Sequence, residues 1–211
     1  LMNSCNPYMI HLALEMGNSR FAYYQSLFGF GKITGIDLPG ETTGIVYGDR
    51  MTTIDAACNS FGQTINVNMM QMMAAYCSII NGGMLYQPHI VKRIESANGE
   101  VVKEYKANLV RQTITASTSK LLRRYLKNTV EEGTAKKAGV TGYSVAGKTG
   151  TAQKGDRKDN KWIISFIGHA PAENPKFAIY VHIQARIIKI SVKRHIPFFK
   201  FLSSVNPAYY I

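Results

Sequence analysis

Three β-type segments near the end of the chain, joined by short connections, constrain its fold more than any other feature. They are predicted over residues 143–153, 162–168 and 177–183, and the polar stretch 154–161 joins the first two. Neighbouring strands with short connections pair antiparallel, because a parallel pair needs a crossover of a dozen or more residues. The sequence therefore predicts an antiparallel sheet in this region.

Helical periodicity dominates the chain ahead of these strands. Asn6-Pro7 is typical of a helix start, Gly17 of a helix end, and Ser19 is predicted to cap a second helix. Residues 29–55 are predicted to form a long loop. Helices followed by an antiparallel sheet predict an α/β (α+β) sandwich with the helices packed on the sheet. The predicted helices are residues 6–16, 19–28, 66–80 and 117–132, and the predicted hairpin strands are 90–96 and 100–105.

The composition is that of a globular chain. Its 211 residues are 45% hydrophobic and 18% charged, which suits one large domain, or one domain and a fragment. The net charge is +12, and residues 101–211 carry 20 basic but only 6 acidic side chains. This excess suggests an anionic partner or surface. Since no nucleic-acid-reading motif accompanies it, a solvated basic face is favoured and no nucleic acid is predicted as a partner.

The cysteines and histidines indicate no metal site. Cys5, Cys58 and Cys77 are widely spaced, and the five histidines form no zinc-binding pattern, so neither a metal nor another cofactor is predicted. The cysteines are predicted to be buried or reduced thiols. No stretch reaches the about 18 apolar residues of a membrane span, and no signal peptide is recognisable.

The stretch GYSVAGKTGTAQ, residues 142–153, matches two motifs that give its lysine different chemistries. Gly142 to Thr149 fits the phosphate-binding pattern G-x-x-x-x-G-K-[ST], and Lys148-Thr149-Gly150 fits a K-T-G box. A P-loop needs a buried strand before its first glycine and a helix that begins at its lysine. Residues 134–141 are polar and no helical spacing follows the lysine, so a P-loop nucleotide site is not favoured.

Taken as a K-T-G box, the same residues predict an edge strand that binds an extended peptide. Glycines such as Gly150 let another backbone come close, and the unpaired amides of an edge strand accept a peptide as an added strand. Lys148 supplies a positive charge, and Thr149 and Thr151 supply hydroxyls. This combination suits a peptide that ends in a carboxylate.

The partner of a K-T-G box is an S-x-N box, and Ser4-Cys5-Asn6 supplies one. The same pattern occurs at residues 96–98 and 204–206, so the pattern alone is not specific. Only the first copy lies just ahead of a helix that starts with proline, far upstream of Lys148. Because both boxes must contact one small peptide, we expect Ser4 and Asn6 to face Lys148 and Thr149 across one groove.

With these boxes the chain resembles the C-terminal part of the transpeptidase domain of class B penicillin-binding proteins, which are peptidoglycan D,D-transpeptidases. The resemblance covers roughly residues 1–183 and implies the penicillin-binding and β-lactamase-like transpeptidase fold, here incomplete. It rests on six blocks: SCNP at 4–7, FGFGKITGIDLPGETTG at 28–44, GQ at 62–63 ahead of a helix ending in NGG, VEEGTA at 130–135, VAGKTGTAQ at 145–153 and SFIGHAPAENPKFAIYV at 165–181.

The resemblance implies a role for each site residue. Ser4 relays a proton towards the leaving D-Ala amine, because a hydroxyl both donates and accepts. Asn6 hydrogen-bonds the substrate amide and orients the lysine next to the nucleophile. Lys148 and Thr149 hold the terminal carboxylate of the substrate with help from the Thr151 hydroxyl, and the Thr151 N–H forms half of the oxyanion hole.

The serine that is acylated in this family lies in an S-x-x-K box ahead of the S-x-N box. This chain has S-x-x-K once, at residues 117–120, after the S-x-N box, where it is also typical of a capped helix start. We interpret that match as coincidental. The nucleophile is therefore expected upstream of Leu1, and the chain alone is expected to be inactive.

The resemblance stops near Gln184, and residues 184–211 are predicted to be a separate basic tail with five basic and no acidic residues. A divergent helix, a membrane-surface patch and out-of-frame translation are the alternatives for this tail, and the last, or a poorly folded tail, is preferred. The partners implied by the family are peptidoglycan stem peptides, β-lactam antibiotics and membrane-anchored cell-wall synthesis machinery on the extracytoplasmic face of the bacterial membrane. A serine β-lactamase and a β-lactam-sensing domain are the alternative functions.

Overall fold

The computed structural model describes residues 1–155 and 161–186, which fall into two compact units. One unit is Cys5–Ser119, and the other joins Leu1–Ser4 to the chain from Lys120 onward. The helices are α1 (Asn6–Met16), α2 (Asn18–Leu27), α3 (Thr53–Asn59), α4 (Met69–Ile80) and α5 (Ala116–Glu131), with 3₁₀ turns at Gly48–Arg50 and Lys136–Ala138. The strands are β1 (Met84–Tyr86), β2 (Arg93–Glu95), β3 (Val101–Glu104), β4 (Leu109–Gln112), β5 (Ala146–Gln153), β6 (Lys161–Ala170) and β7 (Phe177–Arg186).

Every strand pair among these elements is antiparallel, which confirms the predicted α+β class. The predicted hairpin is present as β2 and β3, with Ile94 opposite Lys103. The pair formed by β1 and β4 was not predicted. Its strands are three and four residues long and are separated by the whole hairpin, so no local turn signal marks their pairing.

Side-chain caps set the starts of α3 and α4 and correct two predicted boundaries. Helix α4 begins at Met69 because Asn68 and Gln71 form a reciprocal capping box, with the Gln71 N–H 2.7 Å from the Asn68 Oδ1. Thr52 and Asp55 form a second capping box that starts α3. The prediction of an uninterrupted loop over residues 29–55 is therefore wrong at its C-terminal end.

Two other helices begin earlier than predicted, α2 with its N-cap two residues ahead of the predicted cap and α5 by one residue. Helix α1 begins at Asn6 with a proline in its first turn, as expected. Helix α2 begins at Asn18, so Gly17 rather than Ser19 occupies its N-cap. Helix α5 begins at Ala116, where the Thr115 hydroxyl accepts a hydrogen bond from the Thr118 N–H at 3.2 Å.

The sheet that carries the K-T-G residues has the order β5-β6-β7, which confirms the predicted antiparallel sheet. Strand β7 continues to Arg186, three residues beyond its predicted end, and residues 187–211 lie outside the described residues. The division into a domain over 1–183 and a tail over 184–211 therefore stays a prediction. One face of the sheet packs on α5 and the segment after it, in a core of Val130, Ala135, Ala138, Val145, Phe166 and Ala170.

Two opposed glycines let the Phe166 ring cover the start of this sheet. Gly147 pairs with Gly168, and a Cβ at Gly147 would lie 2.5 Å from the Phe166 Cζ and from the Ile167 carbonyl oxygen. We expect Gly147→Ala to lower the free energy of unfolding by about 1–3 kcal/mol through overpacking. Denaturant unfolding measures this, with Gly139→Ala as control, since the closest contact of its added Cβ is 3.2 Å. Equal midpoints for the Gly147 variant and the parent chain would contradict the expectation.

The structure also describes the state of the three cysteines and the length of the apolar helices. The three cysteines are free thiols, in agreement with the prediction of buried or reduced thiols, although Cys5 is exposed and Cys58 and Cys77 are only partly buried. In residues 1–155 and 161–186, no helix is both long and apolar enough to cross a membrane.

Candidate active site

Strand β5 presents one edge that no other described strand pairs with. The Lys154 N–H donates to the Lys161 carbonyl of β6 at 2.9 Å. Backbone groups alternate between the two edges of a strand, so the even-numbered residues of β5 bond to β6 and the odd-numbered ones point the other way. Consistent with this, the Gly147 carbonyl accepts the Thr129 hydroxyl of α5. The N–H groups of Thr149 and Thr151 therefore lie along the edge of β5 that does not face β6.

Lys148 and Ser4 are in direct contact although 144 residues separate them. The Lys148 Nζ donates to the Ser4 Oγ at 2.9 Å and to the Thr149 carbonyl oxygen at 2.7 Å. The ammonium group is half-buried, and this burial lowers the pKa of Lys148 below its ordinary value. The structure thus brings together one residue from each of the two predicted boxes, within the distance expected for a shared site.

Ser4 lies in a tight turn whose backbone is unusual. The Ser4 N–H donates to the Leu1 carbonyl at 3.1 Å, and the Ser4 φ is 52°, in the left-handed region that non-glycine residues rarely adopt. Such a conformation costs about 1–3 kcal/mol and persists where surrounding contacts hold it. The Thr134 N–H supplies one such contact by donating to the Met2 carbonyl at 3.2 Å.

The other K-T-G residues follow Lys148 along the strand. Thr149 and Gly150 are partly exposed and Thr151 is exposed. The Thr149 hydroxyl lies 3.4 Å from that of Thr134. A Cβ at Gly150 would lie 2.6 Å from the Ser165 Oγ of β6, so a side chain here would require the Ser165 hydroxyl to move.

Helix α5 and the β6–β7 turn fix the start of β5. The fully buried Thr129 bonds its hydroxyl to the Gly147 carbonyl, directly before Lys148. Glu173, in the turn, accepts from Lys127 of α5 at 2.6 Å and from the Ser144 hydroxyl at 3.1 Å. These two hydrogen bonds hold the pKa of Glu173 at about 2, so its carboxylate stays charged across the physiological range.

Asn6 lies in the unit of residues 5–119, where it is the first residue of α1 and is exposed. Its predicted place opposite Lys148 stays a prediction. The second S-x-N match, at residues 96–98, forms the turn of the β2–β3 hairpin, where the Ser96 hydroxyl bonds to Asn98. The third match, at residues 204–206, lies outside the described residues.

Two competing motif assignments can be compared with the structure. Lys148 and Thr149 lie inside an antiparallel strand and not at a helix N-terminus, so residues 142–149 do not form a P-loop. The S-x-x-K match at 117–120 lies in the first turns of α5. There the Ser117 hydroxyl is exposed and lies 2.9 Å from the hydroxyl of Thr115, the residue that caps the helix. In the described part of the chain, no three His, Cys, Asp or Glu side chains cluster as metal ligands.

Sequence reasoning missed three residues that build this site: Thr129, Gly133 and Thr134. The VEEGTA block that contains two of them is part of the family resemblance but suggested no role, since nothing in the sequence shows that residue 134 meets residue 2. The contacts of Thr129 and Thr134 described above place them in the site, and a Cβ at Gly133 would lie 2.5 Å from the Met2 carbonyl oxygen.

Comparison with known proteins places the site in context. The model of the penicillin binding protein transpeptidase domain matches residues 1–196 of this chain. Stage V sporulation protein D of Bacillus subtilis is 42% identical over 186 residues, covering 86% of this chain and 29% of that protein. Peptidoglycan D,D-transpeptidase FtsI of Escherichia coli is 34% identical, covering 86% of this chain and 30% of that protein. The chain thus spans about 30% of the length of these relatives.

Solved structures agree with this match. Penicillin binding protein 3 of Mycobacterium tuberculosis complexed with aztreonam has a TM-score of 0.80 and 30% sequence identity, and the match covers 87% of this chain and 44% of that one. The same protein complexed with ampicillin gives a TM-score of 0.79 over 86% of this chain and 43% of that one. At this identity the similarity extends beyond fold to sequence.

Proposed function

Because this chain belongs to the penicillin-binding protein transpeptidase family, we propose that it forms the carboxylate-binding side of a peptidoglycan D,D-transpeptidase active site. The observation that carries the proposal is the hydrogen bond of 2.9 Å from the Lys148 Nζ to the Ser4 Oγ, beside the unpaired edge of β5. A fixed cation, two strand hydroxyls and free edge amides meet there, and a peptide ending in a carboxylate needs these groups.

The proposed reaction has two acyl transfers. A serine oxygen attacks the carbonyl of the penultimate D-Ala of a stem peptide, and the bond to the terminal D-Ala nitrogen breaks. Ser4 passes a proton to that leaving amine, and Asn6 binds the substrate amide. An amine of a second stem peptide then attacks the ester, forms the cross-link and releases the serine.

Strand β5 binds and activates the donor peptide in this scheme. Lys148 and Thr149 hold the terminal carboxylate, and Gly150 leaves the strand open to the peptide backbone. The Thr151 hydroxyl adds to carboxylate binding. Its N–H, on the free edge of the strand, donates to the oxyanion that develops on the attacked carbonyl.

The attacking serine, in this proposal, is not one of the 211 residues. Their S-x-x-K match lies in the first turn of α5, which Thr115 caps, and Ser4 is followed by Pro7 rather than by a lysine one helical turn away. We place the nucleophile in an S-x-x-K segment that precedes Leu1 in a complete protein. Through that preceding part the protein is proposed to join the membrane-anchored cell-wall machinery, on the extracytoplasmic face of the bacterial membrane.

Ser4→Ala tests the proposed proton relay. In a complete protein, we expect this variant to lose about 100-fold or more in cross-linking of a stem peptide, because a positioned acid–base group contributes about that much. Ser96→Ala is the matched control, since it alters the same S-x-N pattern in the β2–β3 hairpin. Cross-linked product is measured by chromatography. Unchanged cross-linking by Ser4→Ala would contradict the relay.

The same preparation distinguishes the proposed enzyme from a serine β-lactamase or a sensor. A transpeptidase forms a long-lived penicilloyl adduct and also cross-links stem peptides. A β-lactamase turns the antibiotic over continuously, and a sensor forms the adduct without cross-linking. Rapid turnover of penicillin by the complete protein would overturn the proposed function.

A further inference from the structure

The turn that carries Ser4 is held by a segment to which no role is assigned, Gly133–Thr134. The Met2 carbonyl accepts the Thr134 N–H at 3.2 Å and the Thr134 hydroxyl proton at 3.4 Å. A Cβ at Gly133 would lie 2.5 Å from the Met2 carbonyl oxygen and 2.8 Å from its Cγ. Glycine therefore permits a close approach that a side chain would prevent.

The same threonine reaches the K-T-G strand. Its Oγ1 lies 3.4 Å from the Thr149 Oγ1, so a single residue lies between the turn of Ser4 and the hydroxyl proposed to bind the substrate carboxylate. A hydroxyl has one proton to donate and two lone pairs to accept with. When Thr149 donates its proton to a carboxylate, its oxygen can accept the Thr134 proton, which then turns from the Met2 carbonyl to the Thr149 oxygen. Such a chain of hydrogen bonds polarises its members in the same direction.

We propose that Thr134 is a positioning residue of this site: its N–H holds the Ser4 turn against β5, and its hydroxyl orients that of Thr149 towards the ligand carboxylate. The inference rests on the proposed function, since it assigns the ligand carboxylate to Lys148 and Thr149. It adds a residue that touches neither the cleaved bond nor the nucleophile. We call these two contacts of Thr134 the hydroxyl arm and the backbone arm. They are expected to have different kinetic effects, because the hydroxyl acts on carboxylate binding and the backbone N–H acts on the position of Ser4.

The hydroxyl arm is tested with Thr134→Val, which keeps the side-chain shape and the backbone N–H. In the complete protein, the dissociation constant of penicillin before acylation is expected to rise about 3–10-fold, the effect of one lost hydrogen bond. The acylation rate constant at saturation is expected to stay within about 2-fold of the parental value, since the backbone arm, the hydrogen bond from the Thr134 N–H to the Met2 carbonyl, remains. Stopped-flow acylation with a fluorescent penicillin separates the two constants.

Two matched variants distinguish positioning from a loss of structure. Thr134→Ser restores the hydroxyl without the methyl group and is expected to bind penicillin like the parent protein. Thr141→Val makes the same substitution at an exposed threonine of the same unit, and is expected to change neither constant. Thermal unfolding of all three variants is compared with that of the parent. A serine variant that binds as weakly as the valine variant would overturn the hydroxyl's role.

A double-mutant cycle tests the coupling to Thr149. If Thr134 acts through the Thr149 hydroxyl, Thr134→Val is expected to weaken penicillin binding little further in a Thr149→Val background. If the two residues acted independently, the increases in the dissociation constant would multiply. A double variant whose dissociation constant shows the two increases multiplied would overturn the proposal.

The backbone arm is tested with Gly133→Ala, whose methyl group displaces the Met2 carbonyl. This variant is expected to slow acylation at saturation more than it weakens binding, because Ser4 moves relative to Lys148. Since the added methyl also meets α5 at the Thr129 Cα, 2.9 Å away, its thermal unfolding is measured beside the kinetics. If Thr134→Val and Gly133→Ala both show the dissociation constant and the acylation rate constant of the parent protein, this inference alone is overturned. A parent protein that penicillin does not acylate overturns the proposed function as well.

Discussion

Incubation of the 211-residue chain with a labelled penicillin is expected to give no covalent adduct. Acylation needs a serine whose proton a nearby base removes, and an oxyanion hole with two donors. In the proposed arrangement the nucleophile supplies both the attacking oxygen and one of the two oxyanion N–H groups. On this proposal the 211 residues would supply only the Thr151 N–H and the carboxylate-binding side, so we expect the loss of acylation to be complete rather than partial.

The two serines that could substitute are unsuited to attack. The Ser4 Oγ accepts a hydrogen bond from the Lys148 Nζ, which donates to the Thr149 carbonyl as well. A β-lactam whose carboxylate binds at Lys148 would occupy the group that contacts Ser4. Ser117 lies at an exposed helix start, with its hydroxyl bonded to that of Thr115. The amine in contact with Ser4 donates to its oxygen and is assigned to the ligand carboxylate, and the Ser117 hydroxyl is bonded to another hydroxyl rather than to a base.

Intact-mass spectrometry followed by peptide mapping measures this outcome. The positive control is a complete protein with an S-x-x-K segment ahead of Leu1, which should gain one penicilloyl group per chain. A stoichiometric adduct on Ser4 or Ser117 of the 211-residue chain would contradict the placement of the nucleophile outside it.

Replacement of Lys148 by alanine is expected to reduce acylation of a complete protein by penicillin about 10- to 100-fold, the size of a lost charge-assisted hydrogen bond. The substitution removes the cation proposed to bind the carboxylate. It also removes the hydrogen bond to the Ser4 Oγ, so the Ser4 side chain is expected to be held less firmly in position. Because burial lowers the pKa of Lys148, the parent protein should lose carboxylate affinity on the alkaline side at a lower pH than an ordinary lysine would allow.

Lys154→Ala is the matched control for Lys148→Ala. Lys154 directly follows β5 and bonds to the Gln184 side chain at 2.7 Å, so its loss removes a positive charge from the same sheet without altering the proposed carboxylate site. Acylation kinetics and thermal unfolding are measured for both variants. If Lys148→Ala folds and is acylated at the rate of Lys154→Ala, Lys148 is not the carboxylate anchor.

The elements with strong local signals were predictable from the sequence. Helix α1 starts at Asn6-Pro7 and the β2–β3 hairpin surrounds Gly99 as expected, because a proline, a turn glycine and short-range periodicity act within a few residues. The pairing of β1 with β4 was not predictable, since its two strands are short and carry no mutual signal. Helix α3 was missed although the Thr52–Asp55 capping box could have indicated it.

The sequence by itself determined the residue types of the site: a lysine and two threonines between glycines, and a serine with an asparagine ahead of a helix. The context of the first S-x-N match already favoured Ser4 over Ser96, but only the tertiary structure decided the contact itself, in which the Lys148 Nζ lies 2.9 Å from the Ser4 Oγ. The reason is that this contact is built by backbone groups, namely the Met2 carbonyl, the Thr134 N–H and the space left by Gly133. Backbone groups are the same in every residue, so their long-range pairing leaves no pattern in a single sequence.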